Sequence, residues 1–315
     1  SDALYIEQLV SQARHIEIQV LGDSTGAVSH LWERDCSLQR RQQKLVEIAP
    51  SPDLPAATRE RMIAAALKLA GAAQYQGLGT FEFLLDAEQP ERFYFMEANP
   101  RIQVEHTVTE QVTGIDLLHT QLKLAAGQSL EQLGLLQSPP LNGCAVQLRI
   151  NLESMSNDGS TRPAAGTLTA YQPPSGPGLR VDGYGYAGYP VSPSYDSLLA
   201  KLIAHAPDYS SALRRAYRGL CEFRLEGVAN NLHLLQNLLR LPQVASYQLT
   251  TRFVENHLSE LLAAETDAHP HRFFAAAQAT SHSPEEVADA PAGCLPLLTH
   301  STAVVASLGA AAGAA

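Results

Sequence analysis

Residues 96–105, MEANPRIQVE, set Glu97, Asn99, Arg101, Gln103 and Glu105 in alternation with Met96, Ala98, Pro100, Ile102 and Val104. A repeat of two belongs to extended chain, whose successive side chains point to opposite faces; it cannot line one face of a helix. Pro100 has no N–H to give a sheet, so a central strand cannot run through it, and the chain is expected to turn off the sheet there. Upstream, GTFEFLLD at 79–86 and ERFYFMEAN at 91–99 read as two strands around a polar connection centred near Gln89, a β-hairpin.

In a symmetric hairpin Leu84 faces Phe95 and Glu82 faces Glu97. Carboxylates about 5 Å apart repel by about 3 kcal/mol at an effective dielectric near 20, and by roughly 0.8 kcal/mol in bulk water. Phe81, Phe83, Phe93 and Phe95 flank these acids, which makes partial burial, and hence a counter-charge, the expectation. Asn99 shares the parity of Glu97. Two carboxylates and an amide oxygen suit Mg²⁺ or Mn²⁺, which keep waters and bind phosphates. A polar strand face without a cation is the alternative on pattern alone. Arg101 and Glu105 also admit two readings. One is a guanidinium matched to a planar oxyanion such as carboxylate or bicarbonate, with a carboxylate placed to take its proton. The other is an exposed Arg–Glu pair of little energetic weight.

The remaining elements are mixed. RHIEIQV at 14–20 alternates His15, Glu17 and Gln19 against Ile16, Ile18 and Val20, a half-buried strand, and residues 27–35 can return beside it. The polar CSLQRRQQKLVEIAPSP that follows reads as an irregular loop. Residues 53–71 form the best helix, with Asp53 as cap, Pro55 in the first turn, and Met62, Ile63, Leu67 and Leu69 as its apolar stripe. A second helical stretch at 107–126 is interrupted at Thr113–Gly114, and Asp116 caps its second piece. SPPLNG at 138–143 reads as a linker, and beyond it short strands separated by Gly/Pro loops precede three helices. In CAVQLRINL the Gln147, Arg149 and Asn151 face opposes Val146, Leu148 and Ile150.

The formal charge of −10 argues against nucleic acid held on a broad basic surface, and no run of 18 apolar residues exists to span a membrane. Cys36, Cys144, Cys221 and Cys294 lie far apart without a CxxC, as reduced thiols in the cytosol would. The chain opens without methionine and ends in LGAAAGAA, which reads as a piece of a longer polypeptide.

Taken in order, RHIEIQVLGD, ERDCSLQRRQQK, EIAPSP, GTFEFL, FMEANPRIQVEHTVTEQVTGIDL, LRIN, GYPVSPSYDSLLAKLIAH and EGVANNLHLLQNLL closely resemble biotin carboxylase, the ATP-grasp component of biotin-dependent carboxylases, over about residues 3–262. The resemblance implies an α+β chain: an ATP-grasp large lobe at 1–138, an antiparallel sheet covered by helices; a carboxyl-terminal α+β domain at 139–262; and a linker or the start of a further domain at 263–315. It implies ATP, Mg²⁺ or Mn²⁺, bicarbonate and biotin as ligands, and a cytoplasmic homodimer served by a biotin carrier domain and a carboxyltransferase.

Residue by residue, the resemblance gives Glu82, Glu97 and Asn99 to the metal, and Arg101, Gln103 and the backbone of Val104 to bicarbonate. Glu105 becomes the base, Lys44 a cation near bicarbonate and phosphate, and Arg149 the partner of the enolate-like biotin. Glu7, His15, Gln39, Gln42 and Leu84 fall at the nucleotide. Three positions depart from the family's habit: Gln42 in place of histidine, Gln8 in place of lysine, and Gln147 in place of a glutamate that would orient Arg149. No glycine-rich phosphate loop occurs, so the chain alone is expected to be inactive. A non-catalytic, dimerising fragment and another ATP-grasp ligase are the competing expectations.

Overall fold

The computed structural model describes residues 4, 6, 9–156 and 158–263; Glu7, Gln8, Cys294 and the tail from 264 lie outside them. The described residues form fourteen strands: β1 Ala13–Gly22, β2 Val28–Arg40, β3 Gln43–Ala49, β4 Gly77–Asp86, β5 Phe93–Asn99, β6 Cys144–Asn151, β7 Glu153–Met155, β8 Thr161–Pro163, β9 Gly166–Thr167, β10 Ala170–Gln172, β11 Leu179–Gly183, β12 Pro190–Val191, β13 Leu198–Ala206 and β14 Arg224–Glu226. The longer helices are α1 Ala56–Ala72, α2 His106–Thr113, α3 Leu117–Ala125, α4 Tyr209–Glu222 and α5 Leu232–Arg240, followed by the short α6 Pro242–Ala245, α7 Phe253–Asn256 and α8 Leu258–Leu261.

Eight strands form one sheet in the order β11-β13-β6-β3-β2-β1-β4-β5, antiparallel at every pairing. The chain is therefore α+β, and the sheet runs on past residue 138: β6, β13 and β11 extend it through the β3–β6 pairing. Apolar side chains of alternate parity fix which helices cover which strands. Ile16, Ile18, Val20, Phe81, Phe83 and Leu85 pack on Met62, Ala66 and Ala70 of α1. Val146, Leu148, Ile150 and Leu202 pack with Ala212, Ala216 and Leu220 of α4 and Leu235 and Leu238 of α5. At about 25 cal/mol per Å² of apolar surface, each such layer supplies a large share of the folding free energy.

Several local expectations need correction. The run from Cys36 to Pro52 is not a loop: β2 continues to Arg40 and β3 starts at Gln43. The turn between them has Arg41 at φ 45° and Gln42 at φ 66°, the left-handed pair that a two-residue hairpin turn requires. Its polar residues misled because the face they occupy is buried against other polar groups. For the same reason β1 is buried along its whole length, not half-buried. In α1, Asp53 does not cap; Pro55 holds the cap position without a side-chain bond. Of the predicted stripe only Met62 is fully buried, and small Thr58, Ala66 and Ala70 complete the face that lies against the sheet.

The Glu82–Glu97 pairing is as the symmetric hairpin predicts, but the register shifts after it. Phe83 faces Phe95 and Leu84 faces Tyr94, one residue off the predicted Leu84–Phe95 pair. A β-bulge of this kind leaves no trace in a period-two pattern. The break at Thr113–Gly114 and the Asp116 cap, whose side chain accepts from the His119 N–H, fall where the sequence puts them. Cys36, Cys144 and Cys221 are buried free thiols. Among the described residues no helix is long and apolar enough to cross a membrane.

Candidate active site

One sheet face carries a row of charge across four strands. Arg34 on β2 faces Glu17 on β1, Glu17 faces Glu82 on β4, and Glu82 faces Glu97 on β5. Three neighbouring carboxylates would repel strongly if left alone. Arg34 and Lys44 prevent that. Arg34, fully buried, donates from Nε to Glu17 Oε1 at 2.5 Å. Lys44 Nζ on β3 donates to Glu17 Oε2 at 2.6 Å, to Glu105 Oε1 at 2.5 Å and to Glu82 Oε1 at 3.1 Å.

These contacts decide the protonation states. Burial on its own raises the pKa of Glu17, but Lys44 and Arg34 outweigh it and bring the group down to about 2. For Glu82 burial is again opposed, by His15 and then Lys44, and the result is again about 2. Burial would lower the pKa of Lys44; the carboxylates around it raise it instead. Glu17, Glu82, Lys44 and Arg34 are thus ionised at neutral pH.

Glu82 and Glu97 point to the same side of the sheet. The Asn99 amide donates to Glu82 Oε1 at 3.2 Å and to Glu97 Oε1 at 2.9 Å, so both carboxylates converge on one place. Gln103 Nε2 adds a bond to Glu82 Oε1 at 2.8 Å, and His15 Nε2 lies 2.9 Å from Glu82 Oε2. The two carboxylates are hard oxygen donors that fit Mg²⁺ or Mn²⁺; the Asn99 amide presents its nitrogen to them and offers its oxygen to a cation when turned over. Three groups of the predicted set therefore meet, with Glu97 on the exposed side and Glu82 on the buried side.

β5 ends at Asn99, and Pro100 starts the loop that leads into α2. Arg101 is exposed in this loop; among the described residues its guanidinium makes only long bonds, to the Ile102 carbonyl at 3.3 Å and Asn99 Oδ1 at 3.5 Å. It does not pair with Glu105, so the surface Arg–Glu reading falls. Glu105 is buried and accepts from Lys44 and from Arg149 Nη2, the latter at 3.0 Å. Arg149 also donates from Nε to Glu47 Oε1 at 2.5 Å.

Glu47 lies opposite Gln147 in the β3–β6 pairing, and Gln147 Nε2 donates to Glu47 Oε2 at 2.8 Å. Arg149 is therefore oriented by a carboxylate on the adjacent strand. Gln147 supports that carboxylate, and its own carbonyl accepts from Thr107. The reading that Gln147 leaves Arg149 without an orienting charge is corrected by Glu47.

The predicted residues that are described line one cleft of about 1380 Å³. His15, Gln39, Gln42, Lys44 and Leu84 lie along it, as do Glu82, Glu97 and Asn99, then Arg101, Gln103, Val104 and Glu105, and finally Arg149. Glu7 lies outside the described residues. Sequence reasoning missed Glu17, Arg34 and Glu47. Glu17 could have been found, since it shares the face of His15 and Gln19. Glu47 could not, because its relation to Arg149 depends on a pairing 102 residues apart.

Two family models match successive parts of the chain: the ATP-binding domain of the carbamoyl-phosphate synthase L chain over residues 1–133, and the biotin carboxylase C-terminal domain over 147–256. The chain belongs to the biotin carboxylase family. It is 47% identical over 253 residues to a biotin carboxylase from Nostoc, covering 80% of this chain and 55% of that protein. It is 46% identical over 255 residues to the pyruvate carboxylase of Aspergillus niger, covering 80% and 21%. A similar solved structure is the biotin carboxylase domain dimer of 2-oxoglutarate carboxylase from Hydrogenobacter thermophilus, in complex with MgADP, ADP and bicarbonate. Its TM-score is 0.75 and its identity 40%, over 82% of this chain and 56% of that one. The chain thus spans little more than half the length of these biotin carboxylases, and about a fifth of the pyruvate carboxylase. Biotin carboxylases are ligases, and the match includes both the ATP-binding part and the part specific to that family.

Proposed function

We propose that this chain supplies the large-lobe half of a site that carboxylates biotin with bicarbonate at the expense of ATP. Glu82, Glu97 and Asn99 would hold Mg²⁺, which supplies charge neutralisation for the nucleotide's phosphates. His15, Gln39, Gln42 and Leu84 would line the nucleotide, as would Glu7. Arg101 would hold bicarbonate through its planar guanidinium, with Gln103 and the Val104 backbone beside it. Glu105 would take the bicarbonate proton, Lys44 would face the phosphoryl oxygens, and Arg149 would face the negative charge that develops on the biotin ureido oxygen.

The observation that carries this reading is the continuity of the bonded chain. Asn99 joins Glu97 to Glu82, Lys44 joins Glu82 to Glu105, and Arg149 follows Glu105. The arrangement also gives the base a natural control. Glu105 shares Lys44 and Arg149 with other carboxylates, so an anion that draws either cation toward itself takes a donor from Glu105. Biotin on a carrier domain would be the acceptor, with a carboxyltransferase downstream and a second copy as dimer partner. The three buried thiols fit a reducing compartment such as the cytoplasm.

The direct test is bicarbonate-dependent release of phosphate from MgATP. The chain alone is expected to show none. Co-expressed with the amino-terminal part of the Nostoc enzyme, it is expected to turn over, to be stimulated by free biotin, and to lose that activity in Arg101→Ala. Folded, MgATP-bound protein without turnover in that complemented form would favour a non-catalytic partner-binding role.

A further inference from the structure

We infer that Lys201 is a positioning residue that holds the bicarbonate loop from behind. The inference rests on the proposed role of residues 101–105. Lys201 is on β13, directly opposite Arg149 of β6, and is only 9% exposed. Its Nζ donates to the carbonyl of Val104 at 3.0 Å, across 97 residues of sequence. Lys201 is not among the residues that line the cleft; what its ammonium meets is the backbone that carries the ligand-facing groups.

The peptide fixed by this bond joins Val104 to Glu105, between Gln103 and the start of α2 at His106. A charged donor on a part-buried carbonyl is among the stronger hydrogen bonds a loop can have. A second tie runs in parallel. Asp182 on β11 lies opposite Lys201, with Oδ2 3.5 Å from Nζ, and accepts from Arg180 at 2.8 Å. Arg180 Nη1 reaches across to Glu110 Oε2 on α2 at 2.6 Å. The other oxygen of Glu110 accepts from the Leu117 N–H at 3.0 Å.

β11 and β13 thus grip both the loop and the helix that follows it, through Lys201 and Arg180, with Asp182 between the two cations. Arg101, Gln103 and Glu105 sit on a segment whose only tie from this side of the sheet to its backbone is the Lys201–Val104 bond among the described residues. In the bicarbonate reading, the carboxyl-terminal strands set the geometry in which the small anion is held and deprotonated. The nucleotide-side groups on β1 to β5 make no such contact with Lys201.

The experiment uses the 315-residue chain. Binding of ¹³C-bicarbonate is followed by NMR line broadening, and hydrogen exchange is followed for amides 101–106. Lys201→Met is expected to weaken bicarbonate binding about tenfold or more, the order expected for one charge-assisted hydrogen bond, and to speed exchange in 101–106. Lys201→Arg restores both to near wild type, and Lys68→Met, on an exposed face, leaves both unchanged. Wild type that binds bicarbonate while Lys201→Met binds it equally, with unchanged exchange, overturns the inference. If wild type binds no bicarbonate, the reading of the loop fails, while the exchange data still decide whether Lys201 holds it. If Lys201→Met does not fold, Lys201→Gln, a shorter neutral donor, is read in its place with the same expectations.

Discussion

Glu82 and Glu97 stand directly opposite each other on β4 and β5, and a single amide, that of Asn99, donates to both. Such a pair is costly in a sheet unless cations compensate it. Lys44 does so from the buried side, where Glu82 lies; Glu97 faces the open cleft. The arrangement predicts how the protein responds to acid, to mutation and to divalent cations.

Acid should destabilise the fold at low pH, and the site should be the cause. Glu17 and Glu82 both titrate at about 2 in the folded chain against an ordinary carboxylate value of 4.5. A depressed folded pKa gives stability that is present above the unfolded value and is lost as pH falls toward the folded one. The window is therefore from about pH 5 down to about pH 2. Each group contributes on the order of 3 kcal/mol at neutral pH before coupling between them is counted. Urea melts at stepped pH should show this loss, and Glu82→Gln should flatten the slope across that window.

Lys44 should matter more to stability than a site lysine ordinarily does. It is the shared donor of Glu17, Glu82 and Glu105, all buried. Lys44→Met leaves three carboxylates without it, and breaking a buried pair from one side costs about 3–5 kcal/mol. The midpoint of urea unfolding at pH 7 should fall accordingly, and should partly recover near pH 4 as the carboxylates protonate. A loss under about 1 kcal/mol would mean that water supplies what the lysine does.

Gln147→Glu tests the orientation of Arg149. The amide of Gln147 donates to Glu47, while burial raises the pKa of Glu47 against the pull of Arg149. A second carboxyl at that place must either repel Glu47 or take up a proton. The expected cost is about 1–3 kcal/mol at pH 8, smaller at pH 5, because protonation restores a donor. Thermal melts at the two pH values give the comparison, and equal melts would mean Glu47 does not depend on that donor.

Much of this was legible in the sequence, and the failures share a physical cause. The period of two in residues 96–105 pointed to Glu97, Asn99, Arg101, Gln103 and Glu105, of which the first two lie on β5 and the other three on the loop after it, and the hairpin set Glu82 opposite Glu97. The slip after Glu82 was not legible, because a bulge changes pairing without changing pattern. The run around Arg40 looked like a loop because polarity was read as exposure, whereas Arg34, Gln39, Arg40 and Glu47 are all buried. Polar groups that satisfy one another can be interior, and their partners come from strands far apart in sequence. Glu47 and Lys201 act on Arg149 and Val104 across about a hundred residues, which no local spacing encodes. Their contribution appears only when β3, β6 and β13 are neighbours in the sheet.

Manganese binding tests the pairing of Glu82 and Glu97 most directly. Electron paramagnetic resonance titration of the 315-residue chain with Mn²⁺ counts free ion against bound. The structure predicts a site whose affinity drops at least about tenfold in Glu97→Gln, equivalent to about 1.4 kcal/mol, while the exposed Glu97 side chain makes little difference to the melting temperature. Manganese held as tightly by Glu97→Gln as by the wild type would contradict the assignment of these two acids to one cation.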